Sequence, residues 1–219
     1  MNVLIMSERI SPLAGACGSA EFVRALATGL IGRGHDARVA LPAYAFVEND
    51  ARYNVRPVLE DVAIHWEDGS TKRAYVQTCS PGGIPVYLVG GGGRFRRDAR
   101  LDGEADCVFF AKGVQAALMA IRPQWLPDVV HINDSCPGLA AVYLNALYLR
   151  EWAIGPAALV TTVHGGAEAG RVNTLVTGSG LDPDVRVIRR YRSPRRLADA
   201  YEHIYSQALA PAELRALAA

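Results

Sequence analysis

The chain has 219 residues, half of them apolar, and its 23 basic side chains nearly balance 22 acidic ones. This length supports one sizeable core. The near-zero net charge argues against nucleic acid or an anionic membrane surface as the main partner, because both require a concentrated basic patch. No apolar stretch reaches the roughly 18 uninterrupted residues that a spanning helix needs. We therefore expect neither a nucleic acid nor a membrane as partner.

The four cysteines, Cys17, Cys79, Cys107 and Cys136, lie far apart and form no C-x-x-C pair. No signal peptide precedes them, which predicts reduced cysteines and a cytoplasmic location. The histidines and cysteines also lack the short spacing of zinc ligands. We therefore expect no metal and no cofactor.

The first forty residues predict a βαβ unit. Residues 1–6 form a short apolar run, and residues 20–31 then carry apolar side chains at helical spacing. A second apolar run follows at 37–41. Because the crossover in such a unit makes its two strands parallel, the chain is predicted to be an α/β protein.

Residues 55–89 interrupt this alternation with short strand-like runs separated by turn residues, which predicts a β-hairpin insertion. The four glycines 90–93 are interpreted as a flexible loop. Alternation then resumes and predicts one doubly wound parallel sheet. Its elements are a helix at 104–121, a strand at 129–132, a helix at 138–151 and a strand at 158–163.

The end of the chain is predicted to be a linker followed by one helix. Residues after Gly170 are loose and polar through "TGSGLDPD", and we assign 171–193 to the linker. Ser193 can cap a helix that Pro194 begins. The predicted organisation is a Rossmann-like domain at 1–170 and a helical segment at 194–219 that packs back on it.

Ligands of open parallel sheets gather at the carboxyl ends of the strands, and three stretches lie there. In "PLAGACGSAEF", Gly15 and Gly18 allow a phosphate close to the backbone, although a turn between strand and helix needs glycine anyway. In "VVHINDS", Asn133 and Asp134 can hold sugar hydroxyls or cap the next helix. In "VTTVHGG", His164 can donate to a substrate hydroxyl or be a core histidine.

Five stretches in order resemble the N-terminal half of bacterial glycogen synthases and plant starch synthases, retaining glucosyltransferases of the two-domain GT-B architecture. They are "MNVLIMSERISPLAGACGSAEFVRAL", "GLIGRGHDARVALPAY", "GIPVYLVGGGGRF" with "FFAKGVQAAL", "PDVVHINDSCPGLAAVYL" and "LVTTVHGGAEAG". The last two are similar to the family motifs H-x-H/N-D-W and T-I-H-N-x-x-x-x-G. The final segment "SPRRLADAYEHIYSQAL" resembles the terminal helix of GT-B enzymes.

The resemblance implies transfer of glucose from ADP-glucose to an α-1,4-glucan in a cleft between two domains. It implies that His164 faces the transferred glucose and that Asp134 and Asn133 lie near acceptor and sugar. It also implies that Gly15 and Gly18 belong to a loop near the nucleotide phosphates, and that Gly165 lies beside His164 in the substrate site.

Several positions depart from the family pattern. The lysine of the K-x-G-G loop falls on Gly15, and its first glycine falls on Cys17. The motif tryptophan falls on Ser135, and the asparagine after the motif histidine falls on Gly165. Since glycine cannot supply the charge that a lysine gives to a leaving diphosphate, we expect no transfer by this chain alone.

Two functions from different classes follow from the resemblance. The first is a glycosyltransferase domain whose donor-binding half comes from a separate chain or whose cleft is rebuilt in a homodimer. The second is a non-catalytic regulatory module that holds a glucan or a nucleotide sugar. A degenerate structural remnant is a third, and binding of neither ligand would indicate it.

Overall fold

The computed structural model describes most of the chain. Its described residues are 1–15, 17–66, 68–95, 101, 103–121, 124–133, 157–164, 171–177, 184–189 and 193–209. For residues 104, 163, 164, 171–177 and 184–189, the backbone alone is described.

The described residues form a nine-stranded sheet with the order β3-β4-β5-β2-β1-β6-β7-β8-β9. The strands are β1 (Asn2–Ser7), β2 (Asp36–Pro42), β3 (Arg56–His65), β4 (Thr71–Cys79), β5 (Val86–Gly90), β6 (Val129–Asn133), β7 (Ala158–His164), β8 (Arg171–Thr177) and β9 (Asp184–Arg189). The five central strands, from β5 to β7, are parallel. Antiparallel pairs extend the sheet at both edges. The predicted α/β class is confirmed.

Four α-helices are described: α1 (Gly18–Ile31), α2 (Ala45–Glu48), α3 (Glu104–Ile121) and α4 (Pro194–Leu209). The crossover through α1 connects β1 to β2, its neighbour toward one edge of the sheet. The crossover through α3 runs in the opposite direction, from β5 past β2 and β1 to β6. Since parallel crossovers are right-handed, α1 and α3 cover opposite faces. The sheet is therefore doubly wound, as predicted, and both faces of its central strands are buried. None of the described helices is long and apolar enough to cross a bilayer.

The predicted hairpin insertion is β3 with β4, and it joins the sheet through β5. A Cβ added to Gly90 would lie 2.4 Å from Cζ of Tyr75, and one added to Gly91 would lie 2.4 Å from Cζ of Phe109. Both glycines are buried because aromatic rings occupy the space of their missing side chains. The flexible-loop interpretation is therefore wrong for Gly90 and Gly91.

Helix α4 packs across α1 and against β7. A Cβ on Gly29 would lie 2.4 Å from the backbone oxygen of Pro194, so the two helices meet at backbone distance. Farther along, the rings of Phe22 and Tyr201 meet edge to face with centroids 5.7 Å apart. These contacts hold the last described helix on the same face of the sheet as α1.

Two further expectations differ from the structure. Residues 171–193 were expected to be a linker but contain β8 and β9, whose β-branched residues at every second position of "RVNTLVT" and "DVRVIR" are typical of strands. Cysteines were expected to be reduced, which holds for Cys17 and Cys79, whereas Cys107 is disulfide-bonded. The helix predicted at 138–151 lies outside the described residues.

Candidate functional site

The carboxyl ends of β1 and β6 meet at the point where the chain switches direction across the sheet. Ser7 and Asn133 are register partners there, and both are fully buried. The Asn133 amide donates a hydrogen bond of 3.4 Å to Ser7 Oγ. Crevices at such switch points bind ligands in open α/β sheets. The structure thus places Asn133 at the predicted edge, with its amide turned toward β1.

The turn after β1 is built around the same serine. Ser7 Oγ donates to the backbone oxygen of Arg9 at 3.0 Å and accepts from the Arg9 amide at 3.2 Å. Gly15 has a φ of +85°, a left-handed conformation that favours glycine. The turn then enters α1 at Gly18, where the first N–H groups have no partner within the helix. Gly15 therefore lies in the turn between strand and helix, as predicted, and Gly18 begins the helix.

Arg9 and Cys17 form the polar centre of this turn. Arg9 Nη1 donates to Cys17 Sγ at 3.6 Å, and Cys17 Sγ lies 3.3 Å from Ser19 Oγ. Burial raises the pKa of the Cys17 thiol, but hydrogen bonds with Ser19 and Arg9 outweigh it and lower the pKa to about 7. The hydrogen bond with Cys17 raises the pKa of Arg9 despite its partial burial, so the guanidinium stays charged.

The Arg9 side chain also lies beside Gly15. A Cβ on Gly15 would be 4.0 Å from Cδ of Arg9. Nearby, Glu8 and Tyr44 further favour the charged guanidinium. A permanent cation therefore occupies the turn whose glycines were predicted to approach a phosphate. Arg9 was not among the predicted site residues, although it is the single arginine or lysine between Met1 and Val23.

Comparison with known proteins identifies the family. The family described as starch synthase catalytic domain matches residues 2–202. The chain belongs to this family. It is 32% identical over 170 residues to a glycogen synthase of Moorella thermoacetica, covering 75% of the chain and 33% of that protein. It is 26% identical over 197 residues to a glycogen synthase of Chlorobaculum parvum, covering 84% of the chain and 40% of that protein.

One solved structure supports the fold assignment. It is the catalytic domain of Starch Synthase IV from Arabidopsis thaliana bound to ADP and acarbose, with a TM-score of 0.64 and 20% sequence identity. The match covers 75% of the chain and 34% of that structure. The chain thus spans between a third and two fifths of the length of these starch and glycogen synthases. The predicted family resemblance and the GT-B type of fold are confirmed.

His131, in the first of the two starch-synthase-like motifs, lies in the interior. It lies in the middle of β6, with its side chain fully buried. Its Nδ1 shares a hydrogen bond of 2.7 Å with the Tyr205 hydroxyl, and its Nε2 shares one of 2.8 Å with Thr162 Oγ1. Thr162 Oγ1 in turn shares a bond of 2.8 Å with the Tyr201 hydroxyl. His131 is therefore a core histidine in this starch-synthase-type domain.

The other predicted site residues are described only in part. His164 ends β7, at the same edge of the sheet as Asn133, and its backbone pairs with Val172 of β8. Asp134 and Gly165 lie outside the described residues. The roles of His164, Asp134 and Gly165 therefore remain predictions from the family resemblance.

Proposed function

We propose that this chain is the acceptor-side domain of a glycogen or starch synthase type glycosyltransferase. In this proposal the edge after β1, β6 and β7 holds an α-glucan end and the diphosphate of a nucleotide sugar. The family membership supports it, as does the Arabidopsis relative, which was solved with ADP and acarbose. The observation that carries it is a charged arginine, Arg9, at the switch-point turn beside the first turn of α1.

The chemistry proposed for the site is glucosyl transfer with retention. The acceptor hydroxyl oxygen forms a bond to the anomeric carbon of glucose, the bond from that carbon to the phosphate oxygen breaks, ADP leaves, and the hydroxyl proton is released. Negative charge develops on the leaving diphosphate. A guanidinium and helix N–H groups stabilise that charge most effectively when they are preorganised, that is, already oriented toward it before the reaction. Arg9 would supply this charge where Gly15 carries none, and His164 and Asp134 would face the transferred sugar.

A second candidate, a non-catalytic binding module, is favoured by Gly15. Its left-handed φ of +85° disfavours any side chain there, so the turn is built without a cation at that position. Transfer also requires donor phosphates clamped opposite the acceptor. We therefore expect the 219-residue chain alone to bind ligand but not to transfer glucose from ADP-glucose to glycogen. Robust transfer that His164→Ala abolishes would overturn this expectation.

Binding is tested by amide chemical shifts and calorimetry on the ¹⁵N-labelled chain. ADP-glucose is expected to shift the amide signals of Gly18 and Ser19, and Arg9→Gln is expected to weaken its affinity about tenfold, since a charge-assisted hydrogen bond is lost. Arg24→Gln is the matched control, because this exposed arginine of α1 pairs with Glu21 instead. Unshifted amides, or equal affinity of wild type and Arg9→Gln, would contradict the phosphate role of the turn.

A further inference from the structure

Phe46 exposes an aromatic ring at the carboxyl edge of the sheet. Four large apolar side chains of the described residues are exposed, and Phe46, at 43%, is the aromatic one among them. It lies on the short helix α2, which follows β2. Because β2 is parallel to β1, α2 lies at the same edge as the Arg9 turn. Covering this exposed aromatic ring with a ligand would remove apolar surface from water, which is favourable in free energy.

The ring is held in one orientation by the core below it. Phe46 stacks on Tyr44 with centroids 5.4 Å apart and planes 12° from parallel. Tyr44 is fully buried and meets the edge of Phe95 at 6.3 Å, and Phe95 meets Phe109 at 6.0 Å. One face of the Phe46 ring therefore rests on a fixed aromatic stack. Because the Phe46 ring already packs on this stack, its side chain loses little conformational entropy when a ligand covers it.

Polar side chains belong to the same segments as these aromatic rings. Glu48, two residues after Phe46, accepts a hydrogen bond of 2.8 Å from the Tyr75 hydroxyl. Arg94 pairs with Asp106 at 2.7 Å, and the backbone oxygen of Phe95 accepts from the Ala45 amide at 3.2 Å. The backbone bond thus ties the segment of Arg94 and Phe95 to the start of α2. Helix α2 therefore carries an exposed aromatic ring and a carboxylate two residues apart, and the Arg94 guanidinium lies 4.9 Å over the Phe109 ring of the same aromatic cluster.

We propose that Phe46 is a stacking platform for a glucose ring of an α-glucan. A pyranose has an apolar face of C–H groups and a rim of hydroxyls, which suits an exposed aromatic face on a helix that also carries the Glu48 carboxylate. The strand order places the platform on the β2 and β5 side of β1, away from Asn133. It therefore binds a glucose unit beyond the one at the switch point. This inference rests on the proposed acceptor function and deepens it.

The test is calorimetric titration of the whole chain with maltoheptaose. Phe46→Ala is expected to weaken binding about three- to tenfold, and Phe46→Trp to retain it, because the stacking face is kept. Met119→Ala is the matched control: Met119 is 52% exposed near the end of α3, and α3 runs from the carboxyl edge to the opposite one. Urea unfolding of each variant verifies that the fold is retained.

Each outcome decides the proposal. Equal affinity of wild type and Phe46→Ala overturns it, as does an equal loss in Met119→Ala. A Phe46→Ala effect on ADP but not on maltoheptaose overturns it in favour of base stacking. Absence of maltoheptaose binding by wild type also overturns it, and the Gly18 and Ser19 shifts with ADP-glucose then report separately on the phosphate part of the proposed function.

Discussion

Two polar clusters lie on neighbouring strands of the sheet, and they are built in opposite ways. The cluster under α4 consists of His131, Thr162, Tyr201 and Tyr205, all fully buried and joined by hydrogen bonds of 2.7–2.8 Å. The cluster after β1 contains a guanidinium and a thiol at 3.6 Å, and both are partly exposed. Buried polar groups are tolerated when they satisfy one another, whereas a charge is retained where solvent or ligand reaches it. The difference separates a structural network from a candidate binding site.

The largest expected difference is in thiol reactivity. The pKa of Cys17 is lowered to about 7, whereas burial raises that of Cys79 to about 11. At pH 8 the thiolate fraction of Cys17 should therefore exceed that of Cys79 about a thousandfold. Iodoacetamide alkylation, followed by mass spectrometry of each cysteine peptide between pH 5 and 10, measures it. Parallel pH profiles for the two cysteines would remove the distinction between the clusters.

The lowered pKa of Cys17 also has a consequence for stability. A depressed folded pKa means that the thiolate stabilises the folded state above the ordinary pKa of 9.0. That contribution is lost as the pH falls through about 7. Cys17→Ser should remove the rise in unfolding free energy between pH 7 and 9, which urea titrations at several pH values would measure.

The next largest effect is expected from His131→Leu. The substitution leaves the Tyr205 and Thr162 hydroxyls without the imidazole, and the free energy of unfolding should fall by about 3 kcal/mol. His65→Leu is the control, because His65 is exposed on β3. Urea unfolding measures both. A loss below about 1 kcal/mol for His131→Leu would mean that the network contributes little to stability.

Tyr205→Phe should have a smaller effect. It removes one hydroxyl from the network and leaves the ring, so a loss of about 1 kcal/mol is expected. Tyr53→Phe provides the comparison, since its hydroxyl donates at the surface to the Pro12 backbone oxygen at 3.3 Å. Both variants are measured by thermal and urea unfolding. Equal losses in the two would contradict the special role of burial.

Arg9→Gln should change stability least, by less than about 0.5 kcal/mol, because the guanidinium is partly exposed. It should nevertheless raise the pKa of Cys17, because a hydrogen bond and a positive charge that favour the thiolate are lost. The alkylation profile of Cys17 should therefore move to higher pH, while that of Cys79 stays in place. An unmoved Cys17 profile would show that Arg9 does not contribute and that the hydrogen bonds with Ser19 and the Ala20 backbone lower the thiol pKa.

The central part of the fold was predictable because its signals are local. The apolar runs of β1 and β2 and the helical spacing of α1 determine a parallel unit whatever surrounds them. The edge strands β8 and β9 were not predicted, because the polar, glycine-containing segment "TGSGLDPD" lies between them and is typical of a loop. Such strands depend on pairing with a neighbour, which short patterns indicate weakly.

The candidate site was predictable in position but less so in composition. The strand ends located Asn133, Gly15 and Gly18 at one edge, since parallel strands bring their carboxyl ends together. The position of Arg9 beside Gly15 depends on the path of the turn, which no spacing rule gives. His131 shows the converse: its partners Tyr201 and Tyr205 come from a helix some 70 residues later in the chain.

The β3–β4 hairpin has a consequence for how this domain can diverge. Tyr75 belongs to the hairpin, lies over Gly90 at the end of β5, and holds the Glu48 carboxylate two residues from Phe46. A substitution of Tyr75 would therefore reach α2 through the hydrogen bond to Glu48. If Phe46 stacks on a glucose ring as proposed, natural variation at Tyr75 would alter glucan affinity without any change in Phe46 itself.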